Sequence, residues 1–421
     1  MVWTCETLGD ICREGGGRIQ TGPFGSQLHE SDYSMEGIPV VMPADIMDGK
    51  VSTTRIVRVS ENHVERLKRH KLNKGDIVYG RRGDIGRQAL VKDENAGWLC
   101  GTGCLKISLG AGPLTYEFLH RYLSTSAVIG WIEGQAIGAT MPNLNTGILE
   151  RVPVFYPRDQ VVQKKIAAIL SAYDELIENN QRRITLLEKM AEEIYREWFV
   201  RLRFPGYEKV KKIKGVPEGW QISELQDVSI EASRSVKAGA HLADRYYLPL
   251  DMLNTRKMNP DGHLNYTEAQ SSLVTFEKGD ILFGAMRPYL QKVAIAPLAG
   301  ITRTTCFVIR PRTPQSLSWL FLTLFQQSSV DYASMICNGS DRPYAVWNKG
   351  MERMKLLCPD DALLSKFDEA VRPILDSITS MYFVQLKLRD CRDTLLPRLI
   401  SGKLSVEHLD IRFPPGMEER P

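Results

Sequence analysis

Two stretches of the chain carry apolar residues in the four-three alternation of helices that pack along a seam. In the first, Ile166, Tyr173, Asn180, Leu187 and Ile194 form one row, and Leu170, Ile177, Ile184, Ala191 and Trp198 the other. The second holds Phe367, Val371, Ile374, Ile378, Met381, Gln385, Leu388, Arg392 and Leu395 at the same spacing. Each apolar stripe needs a partner, and the economical partner for each helix is the other. An antiparallel pair would let the chain close on itself with approximate two-fold symmetry. Asn180, polar and mid-seam, reads either as a buried register-setting residue or as an exposed edge position. Gln385 and Arg392 weaken the second seam. Pro373 is expected in the first turns of its helix, and Pro397 is expected to end it before the final Leu-Ile-Ser-Gly-Lys-Leu.

The remaining pattern is shorter and alternates with period two, between frequent turn residues. It is also written twice. Lys74-Gly75-Asp76 opens an alternating apolar run, and so does Lys278-Gly279-Asp280, 204 positions later. Each reads as a tight turn, a strand, a loop and a second strand. Cys104 to Ile107 is answered by Cys306 to Ile309, and Pro157 by Pro359. Trp3, Leu8, Asp10 and Ile11 are answered by Trp220, Leu225, Asp227 and Val228. A repeat this long is no solenoid, whose period is about 20–50 residues. It means two domains of one strand-rich fold. The fold class expected is α+β: two homologous mixed α/β domains separated by a long antiparallel coiled coil, with pseudo-two-fold symmetry. The boundaries are 1–158 for the first domain, 159–200 for the central helix and 201–219 for a basic linker. The second domain is 220–360, the C-terminal helix 361–404 and the tail 405–421.

Composition changes little in this picture. The 421 residues are 43% hydrophobic and 25% charged, the make-up of a globular protein of two or more domains. No run approaches the roughly 18 apolar residues of a membrane span, and the start lacks the layout of a secretion signal. The chain is expected in the cytoplasm with no membrane partner. Eight scattered cysteines form no Cys-x-x-Cys. Cys100 and Cys104 read as buried thiols, and no metal site is expected. The net charge of +4 permits a nucleic-acid partner without indicating one. In the linker, Arg201, Arg203, Lys209, Lys211, Lys212 and Lys214 outnumber Glu208, which suits a solvated connection or a strap on phosphates.

Catalytic patterns are missing. There is no phosphate-binding loop of the G-x-x-x-x-G-K-[ST] type, no H-E-x-x-H and no G-x-S-x-G. Gly15-Gly16-Gly17 and the following Gly22-Pro23-Phe24-Gly25-Ser26 read as a loop close to a ligand or to another backbone. Asp341-Arg342-Pro343-Tyr344 resembles the Asp-Pro-Pro-Tyr motif of adenine methyltransferases, but Arg342 replaces the first proline and no glycine-rich cofactor loop accompanies it. Asp360-Asp361 suits helix capping.

The ordered motifs resemble the specificity (S) subunits of type I restriction–modification systems. They are Trp3 with Leu8-Gly9-Asp10-Ile11, Thr21 to Ser26, Lys74 to Val78, Gly138 to Leu144, Ile194 to Phe199 and Leu395 to Lys403. The second half departs from this pattern: it lacks the Gly-Pro-Phe-Gly-Ser loop, and Gly339 to Tyr344 stands where the first half has Met141-Pro142-Asn143. The resemblance implies a non-catalytic subunit whose two target-recognition domains each read half of a split, asymmetric target on double-stranded DNA. It also implies two methyltransferase subunits docked on the helices, a separate motor-nuclease restriction subunit, and S-adenosylmethionine bound by the methyltransferase partner rather than by this chain. Independently, the 33 positions from Ile166 to Trp198 make about 50 Å of helix, the length of about 15 base pairs. Candidate DNA contacts are Arg81, Arg82 and Arg87 in the loop after the first Lys-Gly-Asp strand, and the basic run Lys68, Arg69 and Lys71. Arg287 and Arg342 are the candidates of the second half. Arginine suits guanine edges or phosphates, and each position equally suits a solvated surface. The alternatives are a protein-binding scaffold built on the heptad helices and a self-contained DNA methyltransferase.

Overall fold

The structure, a computed structural model, describes residues 2–81, 85–135, 143–270, 272–339, 341–414 and 417. It divides into two compact units, Met1–Leu176 with Arg389–Pro421, and Ile177–Leu388. The division cuts both long helices, so each unit holds one globular domain and a length of each helix. Among the described residues no helix is long and apolar enough to cross a membrane.

The first unit is organised by a four-stranded antiparallel sheet in the order Gly16–Thr21, Cys104–Gly110, Ile77–Gly80, Gln88–Leu90. A separate antiparallel pair joins Trp3–Thr7 to Pro153–Pro157. The second unit repeats both features: Ser229–Glu231, Cys306–Pro311, Ile281–Gly284 and Val293–Ile295 form its sheet, and Gln221–Glu224 pairs with Lys355–Cys358. The duplicated sequence is therefore a duplicated strand order. A further four-stranded sheet of short strands, from Arg234–Val236 to Gly300–Arg303, belongs to the second unit.

The repeated Lys-Gly-Asp has a physical purpose. Gly75 and Gly279 take left-handed backbone (φ 86° and 90°), which glycine adopts without steric cost. The aspartate then closes the turn by accepting a backbone N–H three residues earlier, from Asn73 to Asp76 at 2.8 Å and from Glu277 to Asp280 at 2.7 Å. Each carboxylate also meets a cation on the neighbouring strand. Lys106 lies 3.5 Å from Asp76, and Arg310 binds Asp280 with two nitrogens at 2.6 and 2.8 Å. The two cations are not equivalent positions: by strand register Lys106 answers Val308 and Arg310 answers Ser108, so each repeat supplies its aspartate's partner from a different place on the same strand.

The glycine run corrects the expectation of a loop: Gly16 and Gly17 lie in a strand. A Cβ on Gly17 would come within 2.0 Å of the Ser108 carbonyl, and one on Gly15 within 2.2 Å of the Leu109 carbonyl. It is the neighbouring backbone that these glycines approach.

The central helix runs Gln160–Tyr195, closes in a π-turn at Arg196–Val200, and the C-terminal helix runs Asp361–Ile400. In the second unit they are antiparallel, with Asn180 against Met381 and Trp198 against Phe367. Of the seam positions, Ile166, Leu170, Asn180, Ile184, Ala191, Phe367, Val371 and Ile378 are buried; Tyr173, Ile177, Leu187, Ile194, Trp198, Ile374, Met381, Leu388 and Leu395 are half-buried. The stripe is wider than a seam: Tyr195, Phe199, Leu364, Leu375 and Tyr382 are buried as well. Each helix covers a domain in addition to its partner helix, and that needs a broader apolar face. Asn180 is interior, donating to the Met381 carbonyl at 2.8 Å, and Gln385 reaches Gln181 at 3.0 Å in the same polar layer.

Both prolines behave otherwise than expected. Pro373 is the thirteenth residue of its helix, well inside it, so Glu369 loses the usual i+4 donor to its carbonyl. Pro397 does not end the helix, which continues to Ile400 because Leu399 and Ile400 are buried in the core of the first unit. Packing outweighs one lost hydrogen bond. Asp360 caps the helix start, accepting from the Leu363 N–H at 2.8 Å. The cysteines are free thiols; Cys100 and Cys104 are buried, and burial pushes the Cys100 thiol up to about 12. Such thiols are inert.

The two repeats differ at one buried position with a consequence for stability. Tyr79 is fully buried with a hydroxyl that has no partner among the described residues, and Phe283 occupies its position in the second repeat. Tyr79→Phe is therefore expected to stabilise the first unit by about 1–2 kcal/mol, since an unsatisfied buried hydroxyl is removed without a cavity. A rise in the midpoint of urea unfolding checks it; a fall would mean that the hydroxyl is satisfied.

Candidate nucleic-acid interface

The loop after the Lys-Gly-Asp strand meets the same distant turn in both units. In the first, Leu144 N–H donates to the Arg81 carbonyl at 3.0 Å; in the second, Ala345 N–H donates to the Ala285 carbonyl at 2.9 Å. Arg81 and Ala285 are equivalent, 204 positions apart. The backbone frame is thus common, while the side chains on it differ.

In the first unit, the Arg81 Nε–H donates inward, to Asn143 Oδ1 at 3.2 Å and to the Leu144 carbonyl at 3.1 Å. This half-buried arginine latches the two segments together. Arg82 lies outside the described residues, as does most of Gly138 to Leu144. Arg87 is exposed on the entry to the strand Gln88–Leu90.

The basic run sits on a 3₁₀ turn, Lys68–His70. The Arg69 carbonyl accepts from Gln20 at 2.5 Å and the Lys71 carbonyl from Lys106 at 2.9 Å, which fastens the turn to the edge of the sheet. Lys68, Arg69 and Lys71 are exposed. Burial, with the Arg69 charge beside it, holds the His70 imidazole below its ordinary range. The neutral ring accepts from Arg69 Nε at 2.8 Å and orients that guanidinium. Lys68 faces Glu65 at 3.4 Å, an exposed pair worth little.

In the second unit the structure brings Arg287 and Arg342 onto adjoining loops. Arg287 takes left-handed backbone (φ 52°), and its N–H donates to the Pro343 carbonyl at 2.8 Å. Both side chains are exposed, and Tyr289 beside them is 56% exposed. Sequence reading missed Tyr289; its place in the loop between paired strands was the available signal. Next to these arginines is a cleft of about 560 Å³ walled by Phe307, Tyr344 and Trp347. Trp347 packs edge-on to Phe307 at 5.4 Å, and the Tyr344 hydroxyl donates to the Thr304 carbonyl at 2.6 Å. Tyr344, the last residue of the Asp-Arg-Pro-Tyr segment, is therefore a wall residue with its hydroxyl engaged. Among the described residues no cluster of three or more His, Cys, Asp or Glu side chains could hold a metal.

In the first unit the Arg81 and Lys68–His70 segments stand on a domain tied to both helices. Arg121 binds Asp174 of the central helix and Ser171 at 3.1 Å, and Arg392 binds the same carboxylate at 2.9 Å. Burial pushes the Asp174 carboxyl up, but the charges and hydrogen bonds of the two arginines outweigh it and leave it below the usual carboxylate range. In the second unit, Glu188 of the central helix accepts from the Met258 N–H at 2.8 Å and pairs with Lys257 at 3.3 Å. Arg392, a weak seam residue by sequence, is a tie between helix and domain.

Comparison with known proteins agrees with this geometry. The family described as type I restriction modification DNA specificity domain matches residues 3–189. The type I restriction enzyme MjaIX specificity subunit of Methanocaldococcus jannaschii is 24% identical, over 97% of this chain and 94% of its own length. The HindI specificity subunit of Haemophilus influenzae is 20% identical, over 96% of this chain and 99% of its own. Among solved structures, the type I restriction–modification S subunit from M. genitalium superposes with a TM-score of 0.59 at 17% identity, covering 95% of this chain and 96% of that one; this likeness concerns the fold. Residues 3–189 thus belong to the family of type I restriction modification DNA specificity domains, and the whole chain, with its duplicated sheet and paired helices, is similar from end to end to specificity subunits.

Proposed function

We propose that the two repeats each read one half of a split, asymmetric sequence on double-stranded DNA, and that the paired helices set the length of DNA left unread between them. The observation that carries this reading is the pair of equivalent loop frames, Arg81 with Leu144 and Ala285 with Ala345, whose backbone bonds agree and whose side chains do not. A common frame with divergent loops suits two modules of one fold that bind different base sequences. The 36 residues of Gln160–Tyr195 form about 54 Å of continuous helix, enough for a gap of a turn or more of DNA.

On this reading the chain is catalytically inert. Two methyltransferase subunits dock on the helices and bind S-adenosylmethionine, and a separate restriction subunit cuts unmodified DNA. Exposed apolar side chains on the central helix, Leu186 and Met190 (61% and 52% exposed), support a protein partner on that face. The purified chain should methylate nothing alone, and should direct adenine methylation when mixed with its methyltransferase subunit and S-adenosylmethionine. Methylation by the chain alone overturns the reading, and assembly without any dependence on DNA sequence favours a scaffold.

A further inference from the structure

The segment joining the central helix to the second repeat is not a loose connection. Lys212–Ile213 and Val216–Pro217 form a two-residue hairpin whose turn, Lys214 and Gly215, is left-handed at both positions (φ 51° and 84°). Phe204, Pro217 and Trp220 are buried at its base, and Phe204 packs against Trp220 at 5.4 Å within the core of the second unit. On this anchored frame Lys209, Lys211, Lys212 and Lys214 are all exposed. Residues 209–218 hold four lysines and one glutamate, a net +3, whereas the whole chain nets +4.

The neighbouring arginines show that pairing was available. Arg201 pairs with Glu193 at 3.2 Å and with Glu197, and Arg203 with Glu197 at 3.7 Å. None of the four lysines makes an ion pair among the described residues. Ile213, 61% exposed next to the turn, carries no charge that could compensate them. Four exposed cations on the hairpin and the turn that precedes it form a concentrated positive field that costs self-repulsion.

We propose that this hairpin and the turn before it grip the phosphate backbone of the bound DNA through Lys209, Lys211, Lys212 and Lys214, supplying affinity without sequence preference. Lysine is the fitting residue, because its ammonium is a flexible point charge, matched to phosphate oxygens rather than to the planar pattern of a base edge. The inference rests on the DNA-reading function proposed above.

The test uses the full chain assembled with its methyltransferase subunits, as wild type, as the quadruple Lys→Gln variant and as the quadruple Lys→Arg variant. Affinity for a duplex bearing the methylated sequence and for a scrambled duplex is measured across salt concentrations. The glutamine variant should bind both duplexes at least about tenfold more weakly, with a log–log salt slope shallower by about two to four, while the methylated sequence stays the same. The arginine variant should keep the wild-type slope. An unchanged slope in the glutamine variant, with wild type binding normally, overturns the proposal and leaves the function intact. Loss of a methyltransferase subunit at unchanged slope also overturns it, by assigning the hairpin to a protein partner. A wild-type complex that fails to bind DNA overturns both.

Discussion

Asp76→Ala is expected to destabilise the first unit by about 3–5 kcal/mol, because it strands a buried cation. The side chains of Asp76 and Lys106 are 6% and 5% exposed, and their nitrogen–oxygen distance is 3.5 Å. The carboxylate also accepts from Ser108 Oγ at 2.6 Å and from the Asn73 N–H at 2.8 Å, so one substitution removes the ion pair and the closure of the turn. Among the described residues, the Lys106 ammonium would keep only its bond to the Lys71 carbonyl. The equivalent Asp280→Ala should cost less, since Arg310 is 40% exposed and water can take over its solvation. Urea unfolding of both variants checks the order, and replacing Asp76 and Lys106 together by apolar residues should recover most of the loss. Equal losses for the two single variants would show that turn closure, not the buried charge, dominates.

Phe367→Ala is expected to cost about 3–5 kcal/mol in the second unit. Phe367 is fully buried among three aromatic rings at the end of the central helix: Phe199 at 4.7 Å, Trp198 at 5.3 Å and Tyr195 at 6.3 Å, all edge-on. Edge-to-face pairs add to the area term, and truncation leaves a cavity that three stiff rings cannot close. These rings fasten the start of the C-terminal helix to the end of the central one, so the variant should lose helix-pair signal at lower urea than wild type. Phe367→Leu should lose roughly half as much. A change under about 1 kcal/mol for the alanine variant would mean that the cluster repacks.

The duplication and both helices were legible in the sequence because their signals are local patterns: landmarks repeated in the same order for the duplication, a four-three step for the helices. Asn180 could not be assigned from spacing alone, since burial depends on which residues face it; the facing Met381 carbonyl decides it. The glycine run and the two prolines misled for one reason. Local punctuation states what the backbone permits, while Gly17 against Ser108 and Leu399 in the core are tertiary facts that override it. Arg81 shows the limit for the interface. Its chemistry suits a base edge, yet its Nε is turned inward to Asn143 and Leu144, 62 and 63 positions away. The direction of a side chain is fixed by neighbours distant in sequence. The pairs Asp76 with Lys106 and Asp280 with Arg310 were hidden likewise until strand order made them adjacent.

The central claim, that two recognition modules read a split target, is tested most directly by mapping methylated adenines in DNA exposed to the chain reconstituted with its methyltransferase subunits. Two short specified blocks, different in sequence and separated by an unread gap of fixed length, are the expected result. One continuous motif, or blocks at variable separation, would contradict it.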